Sequence, residues 1–179
     1  MMPMDAVARM AAVDDSGDIN VIIETPKGSR QKYDLDHSTG LFQWSLELPE
    51  AMLFPFSFGF IPGTLGADGD PMDVILLLDG AVPPGTLVKS RLIGVLELEQ
   101  DEGGEMVRND RLIAVANLSR AYAGVDRLEE TREGLAWDIE QFFLSYNRML
   151  DREMNVHGYE GPEAAQQLLE GGRRDDGGT

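Results

Sequence analysis

Residues 59–80 read GFIPGTLGADGDPMDVILLLDG. Three carboxylates, Asp68, Asp70 and Asp73, fall within six residues, directly before the apolar run 74–78. A turn accounts for Asp-Gly-Asp-Pro on its own, because Asp, Gly and Pro are all favoured there for backbone reasons. It does not account for Asp73, which stands at the start of what reads as a buried strand. Neighbouring anions repel one another unless something positive sits among them. A hard divalent cation with oxygen ligands is the natural solution.

Two known acidic loops fail on spacing. A calcium loop of the EF-hand kind needs acids at positions 1, 3 and 5 and Gly at 6. Counted from Asp68, those last two positions hold Met72 and Asp73. The Asp-x-Asp of a haloacid-dehalogenase-type phosphatase follows its strand and runs into Thr, whereas this pair precedes the strand and meets Pro71 and Met72.

Outward from this stretch, strand signals dominate as far as residue 116. The segments INVIIET, RQKYDLD, DVILLLD, TLVKSRLIGVLELE and RLIAVAN are branched or alternating and are separated by Gly, Pro and Asp. Helical spacing then takes over, with Leu135, Ile139, Phe142, Phe143, Tyr146 and Leu150 on one face. Pro162 and Gly171 suit the start and stop of a shorter helix over 162–170. Strands first and helices afterwards predict an α+β fold, a small, mostly antiparallel β-barrel flanked by C-terminal helices. The order disfavours a doubly wound nucleotide fold, and no glycine-rich phosphate loop is present. The chain divides into a flexible N-terminal segment over 1–16, a single domain over 17–170 and a disordered tail over 171–179.

The 179 residues suffice for one domain with a sizeable core. The 32 acidic against 15 basic residues give a net charge of −17, which repels nucleic acid and anionic membranes. An anionic substrate must therefore be met through bound cations or a local basic cluster. With no cysteine there is no disulfide, thiolate site or thiol nucleophile. His37 and His157 lie too far apart for a local zinc motif and read as loop or surface histidines. The first residues include Asp5 and Arg9 and lack a signal-peptide core, and no apolar run reaches membrane-spanning length. A soluble, cytoplasmic protein is expected.

The stretch DGDPMDV resembles the signature of soluble family I inorganic pyrophosphatases, Asp-x-Asp-Pro-x-Asp before an apolar strand. The flanks VIIETPKGSRQKYDLD, MLFPFSFGFIPGT, LIGVLELEQDEGG and FFLSYN are similar to the same family, so the resemblance runs from about residue 18 to about 168. It implies a pyrophosphatase-like, OB-type barrel that hydrolyses pyrophosphate to two phosphates, with several Mg2+ ions per site and Mn2+ as an alternative. It also implies a homo-oligomer, a hexamer as in most bacterial members. Residue by residue, it implies metal ligation by Glu24, Asp68, Asp70, Asp73 and the acidic loop pair Asp101 and Glu102, with Asp70 also accepting the proton of the attacking water. Lys32 and Tyr146 would hold phosphate. Without the resemblance, Glu24 reads equally as a solvated strand residue, Lys32 as a surface lysine, Tyr146 as a core tyrosine, and Asp101 with Glu102 as a solvated hairpin turn.

The chain also departs from the family pattern. Where the family has Asp-x-Lys, the sequence reads RNDRLIAVA, with Asn109 and Arg111 at those places and Asp110 adjacent. Asp110 is carried as a metal ligand and Arg111 as a phosphate contact, although strand alternation sets the two on opposite sides unless a bulge intervenes. Leu46 or a neighbour stands where the family has Arg, Phe54 and Phe58 where it has Tyr, and Asn147 where it has Lys, while Asp34 replaces a Glu. Arg30, Arg108 or Arg111 are the candidates to supply the missing charge. These losses leave a second reading, a pyrophosphatase-like binding or assembly protein that keeps the fold and some metal binding. A related phosphoanhydride is the alternative substrate.

Overall fold

A computed structural model describes residue 7 and residues 9–174. Nine strands, two long α-helices and a short 3-10 helix over Leu128–Glu130 are formed among them: β1 Ile19–Thr25, β2 Gln31–Asp36, β3 Leu41–Glu47, β4 Ser57–Phe60, β5 Asp73–Leu77, β6 Leu87–Asp101, β7 Met106–Arg108, β8 Arg111–Ala116, α1 Leu135–Met149, β9 Met154–Glu160 and α2 Pro162–Gly172. The main sheet runs β1-β4-β5-β8-β6-β7, and an added β1–β6 pairing closes its first five strands into a ring. Only β5–β8 is parallel; every other pair is antiparallel. β2 and β3 form a separate hairpin, and β9 adds to the far half of β6. The α+β class and its mostly antiparallel sheet are thus as expected.

Closure explains why β1, β5 and β8 are apolar along their length rather than alternating. One face of β5 and of β8 lies under α1, with Ile75 and Ile113, joined by Ile93 and Leu96 of β6, packed in one cluster with Leu135, Ile139, Phe142 and Phe143. The other lines a second cluster, where Val21, Ile23, Val74 and Leu112 meet Ala165 and Leu169 of α2. Buried on both faces, such strands read as continuous hydrophobic runs. Each fully buried Ile or Leu contributes about 1.5–3 kcal/mol relative to exposure.

Two local irregularities position the site. The register of β1 against β4 shifts between Ile23 and Thr25, so Glu24 is the extra residue and its side chain is re-aimed. Gly59 permits the close crossing, since a Cβ there would lie 2.1 Å from the Ile22 carbonyl oxygen. On the hairpin, Lys32 faces Leu46 and Tyr33 faces Trp44, which leaves Ser45 as a second bulge.

The domain's edges carry contacts beyond 17–170. Ala12 is buried, its carbonyl accepts the Asn20 amide, and Asp14 pairs with Lys89. At the other end Gly172 accepts the Leu65 amide, and Arg173 bridges to Thr64. Residues 1–6, 8 and 175–179 of the two expected tails lie outside the described residues.

Candidate active site

The acidic loop before β5 is pinned from within. Thr64, fully buried, donates its hydroxyl to the Ile61 carbonyl at 2.6 Å and accepts the Met72 amide at 2.9 Å. The Gly66 amide donates to the Asp70 carbonyl at 2.7 Å, and Gly69 adopts φ 91, which a side chain would resist. Asp68 Oδ1 accepts the Asp70 amide at 3.1 Å. The loop is therefore a true turn, and its three carboxylates still face a common space.

That space is a cavity of about 370 Å³. Glu24, Asp34, Asp68, Asp70, Asp73 and Glu102 line it, against Lys32, Arg111 and Arg152. Six carboxylates against three cations leave an excess of three formal negative charges. Tyr146, Gln100 and Asn109 complete the polar wall, and His37 stands at its rim. Beneath lies a smaller hollow of about 110 Å³ walled by Phe54, Phe58, Phe142 and Phe143. Phe54 and Phe58 meet edge-on at 5.4 Å, and Phe142 stacks on Tyr146 at 5.8 Å.

The charges are strongly perturbed. Burial pushes the Glu24 carboxyl up to about 7, and the charges of Asp34 and Asp70 push the same way against the Leu35 amide that donates to it at 2.9 Å. Burial pulls the Arg111 guanidinium down to about 10, so it remains charged at neutral pH. Arg111 pairs with Asp73, donates to Asn109 Oδ1 at 3.0 Å and lies 5.5 Å over the Phe143 ring. Lys32 pairs with Asp34 at 2.5 Å. Burial raises the Tyr146 hydroxyl above its ordinary value, which keeps it a donor.

Two expected metal ligands are turned away. Asp110 accepts the Leu98 amide at 3.0 Å and Arg108 Nε at 2.6 Å, and it lines a different, smaller pocket. No bulge intervenes at this point, so Asn109 and Arg111 face the cavity and Asp110 faces the opposite side. Asp101 accepts the Gly104 amide at 2.6 Å within its hairpin turn, and alternation puts Gln100 and Glu102 on the cavity side instead. Arg30 and Arg108 are also elsewhere, on Glu47 with the Leu48 carbonyl and on Glu97 with Asp110. Glu24, Lys32, Asp68, Asp70, Asp73, Arg111 and Tyr146 are brought together.

The residues present suit hard cations. Nearly all the donors are oxygens, with one imidazole at the rim, and six carboxylates against three cations leave the site short of positive charge. Among the described residues no three acids or histidines converge as a ready-made cluster. Dispersed carboxylates fit Mg2+, which retains several of its waters and needs only one or two per ion.

Against known proteins, residues 21–175 match the family model described as inorganic pyrophosphatase. The chain belongs to the inorganic pyrophosphatase family. An inorganic pyrophosphatase of Corynebacterium efficiens is 38% identical over 155 residues, covering 84% of this chain and 93% of that protein. One from Synechocystis is 31% identical and covers 92% and 95%. Among solved structures, the inorganic pyrophosphatase of Helicobacter pylori superposes with a TM-score of 0.82 at 32% identity, covering 92% and 96%. The family's fold is thus present over nearly the whole chain.

Proposed function

We propose that this protein hydrolyses inorganic pyrophosphate to two phosphates in a Mg2+-dependent reaction at the acidic cavity. The observation that carries the reading is the convergence of Glu24, Asp68, Asp70 and Asp73 with Lys32, Arg111 and Tyr146 on one space. Asp68, Asp70, Asp73 and Glu24 would hold the metal ions, together with Glu102 of the expected Asp101–Glu102 pair. Such ions, when bound, neutralise phosphate oxygens and bring the pKa of a bound water from ~15.7 to near neutrality.

The chain's own groups do the rest. Asp70 is exposed, and no described group donates to its carboxylate, so it accepts the proton as the water oxygen bonds to one phosphorus. The bond from that phosphorus to the bridging oxygen breaks, and the second phosphate leaves with the electron pair. Lys32, Arg111 and the Tyr146 hydroxyl grip the phosphoryl oxygens. Asp34 and Asp73 hold the two cations in place, and the aromatic floor lowers the local dielectric, which strengthens these contacts.

A second reading, an assembly or binding protein on the same fold, draws on the apolar Leu46, Phe54 and Phe58 and the buried Asn147, which bring no phosphate contact. For the enzyme, these positions predict a lower rate than a fully equipped site. Homo-oligomerisation, as a hexamer, and a cytoplasmic location belong to the enzyme reading, and no described helix is long and apolar enough to cross a membrane. Release of phosphate from pyrophosphate with and without Mg2+, in the wild type and in Asp70→Asn, separates the two. Mg2+-dependent release well above the variant's is expected; a wild type that shows no Mg2+-dependent release removes the enzyme reading.

A further inference from the structure

Resting on the pyrophosphatase reading, we infer that Arg152 is a substrate-binding residue, a phosphate-gripping guanidinium delivered to the cavity by the turn that ends α1. The local backbone accounts for its delivery. The Leu150 amide closes α1 onto the Arg148 and Asn147 carbonyls, and Asp151 then adopts φ 52, the only positive φ of a described non-glycine residue. Asp tolerates this left-handed conformation better than most side chains. The Arg152 amide returns to the Asn147 carbonyl at 3.0 Å, so the chain folds back over the helix end. Arg152 thereby reaches the cavity that Tyr146 lines, and its charge, with those of Lys32 and Arg111, pulls the hydroxyl's pKa down against the larger effect of burial.

The other cations of this wall are committed. Lys32 is paired with Asp34, and Arg111 with Asp73. Asn147, one residue after Tyr146, is buried and spends its amide on the Phe143 carbonyl and Met154 Sδ, so it offers the cavity no donor. Arginines 30, 91, 108, 111, 127 and 132 each have a carboxylate partner, as an acid-rich chain favours. Arg152 lines a cavity with six carboxylates and is in ion-pair contact with none of the described ones. It keeps a planar fork of five donors that matches phosphate in bidentate fashion. The ligand class is a diphosphate, or its phosphate product, with its bound cations.

The test is steady-state hydrolysis of magnesium pyrophosphate by Arg152→Ala, Arg152→Lys and Arg148→Ala. Loss of one charge-assisted contact predicts a KM about 10- to 100-fold higher in Arg152→Ala, with kcat changed less. Arg152→Lys recovers part of that loss, because it restores charge without the fork. Arg148 lies outside this cavity, and its Ala variant keeps the wild-type KM. A wild-type KM in Arg152→Ala, or an equal rise in Arg148→Ala, overturns the assignment while leaving the enzyme reading intact. A wild type that releases no phosphate removes the enzyme reading instead. Calorimetric titration of magnesium pyrophosphate then decides for Arg152: weaker binding by Arg152→Ala supports the assignment, and equal binding overturns it.

Discussion

The carboxylate wall and the cationic wall of the cavity are reached by the chain in different ways. Asp68, Asp70 and Asp73 arrive together on one loop, held by Thr64 and by backbone bonds within the turn. Lys32, Arg111 and Arg152 arrive from β2, β8 and the turn after α1, far apart in sequence. Repelling acids need a stiff local frame if they are to face a shared cation. Cations can each be held by their own acid, as Lys32 is by Asp34 and Arg111 by Asp73. The acidic wall is thus one motif, and the cationic wall is three separate solutions that can be exchanged one at a time.

The sharpest way to break this contrast is Asp70→Asn. Phosphate release is expected to fall about 10²- to 10⁴-fold, the usual range for removing a general base. Asp70 is exposed, so the thermal midpoint should stay where it is. Wild-type release by this variant would take Asp70 out of the chemistry.

Glu24 gives the next largest effect, in the metal-free protein. Its folded carboxyl titrates at about 7, above the 4.5 of a free Glu, so the unfolded chain gives up its proton first. Stability should therefore be full below about 4.5, fall as pH rises to about 7, and level off above, by ~3 kcal/mol in all. Denaturant midpoints across that range measure it. Glu24→Gln should flatten the curve, and an unchanged slope in that variant would assign the pH dependence elsewhere.

Residues 109 and 110 sharpen the comparison further, because one faces the cavity and the other does not. Restoring a carboxylate with Asn109→Asp should tighten divalent-cation binding about ten-fold, since ligand charge tunes affinity. Titration of the variant with Mn2+ and paramagnetic resonance detection reads this without any activity assay. The smallest effect is expected for Asp110→Asn. Its Mn2+ affinity should match the wild type, while stability drops by about 1 kcal/mol as the contacts to Leu98 and Arg108 weaken. Weaker Mn2+ binding in Asp110→Asn would reverse the assignment of the two faces.

Much of the framework was legible in the residues. The five strand segments named from the sequence and both helices are present, because their apolar periodicity follows from burial against a core. Strands β3, β4, β7 and β9 were not read. β3 is largely exposed, β4 carries Gly59 at a close crossing, β7 has only three residues, and β9 gains its place through its partner β6. Of the pair Asp101 and Glu102, only Glu102 lines the cavity, because the phase of strand alternation around a turn depends on the pairing register. Arg152 carried no signal, since nothing in its spacing from Tyr146 announces a left-handed Asp151.

The sequence by itself determined the acidic loop, the apolar strand behind it and the helical face that carries Tyr146. Each depends on interactions between residues close in the chain or on a periodicity within one element. Only the tertiary structure decided which side of β8 faces the cavity, that a bulge turns Glu24 inward, and which arginine stands free to meet an anion. Those outcomes depend on register, on bulges and on one backbone turn, and a shift of a single residue in any of them sends a side chain to the opposite face.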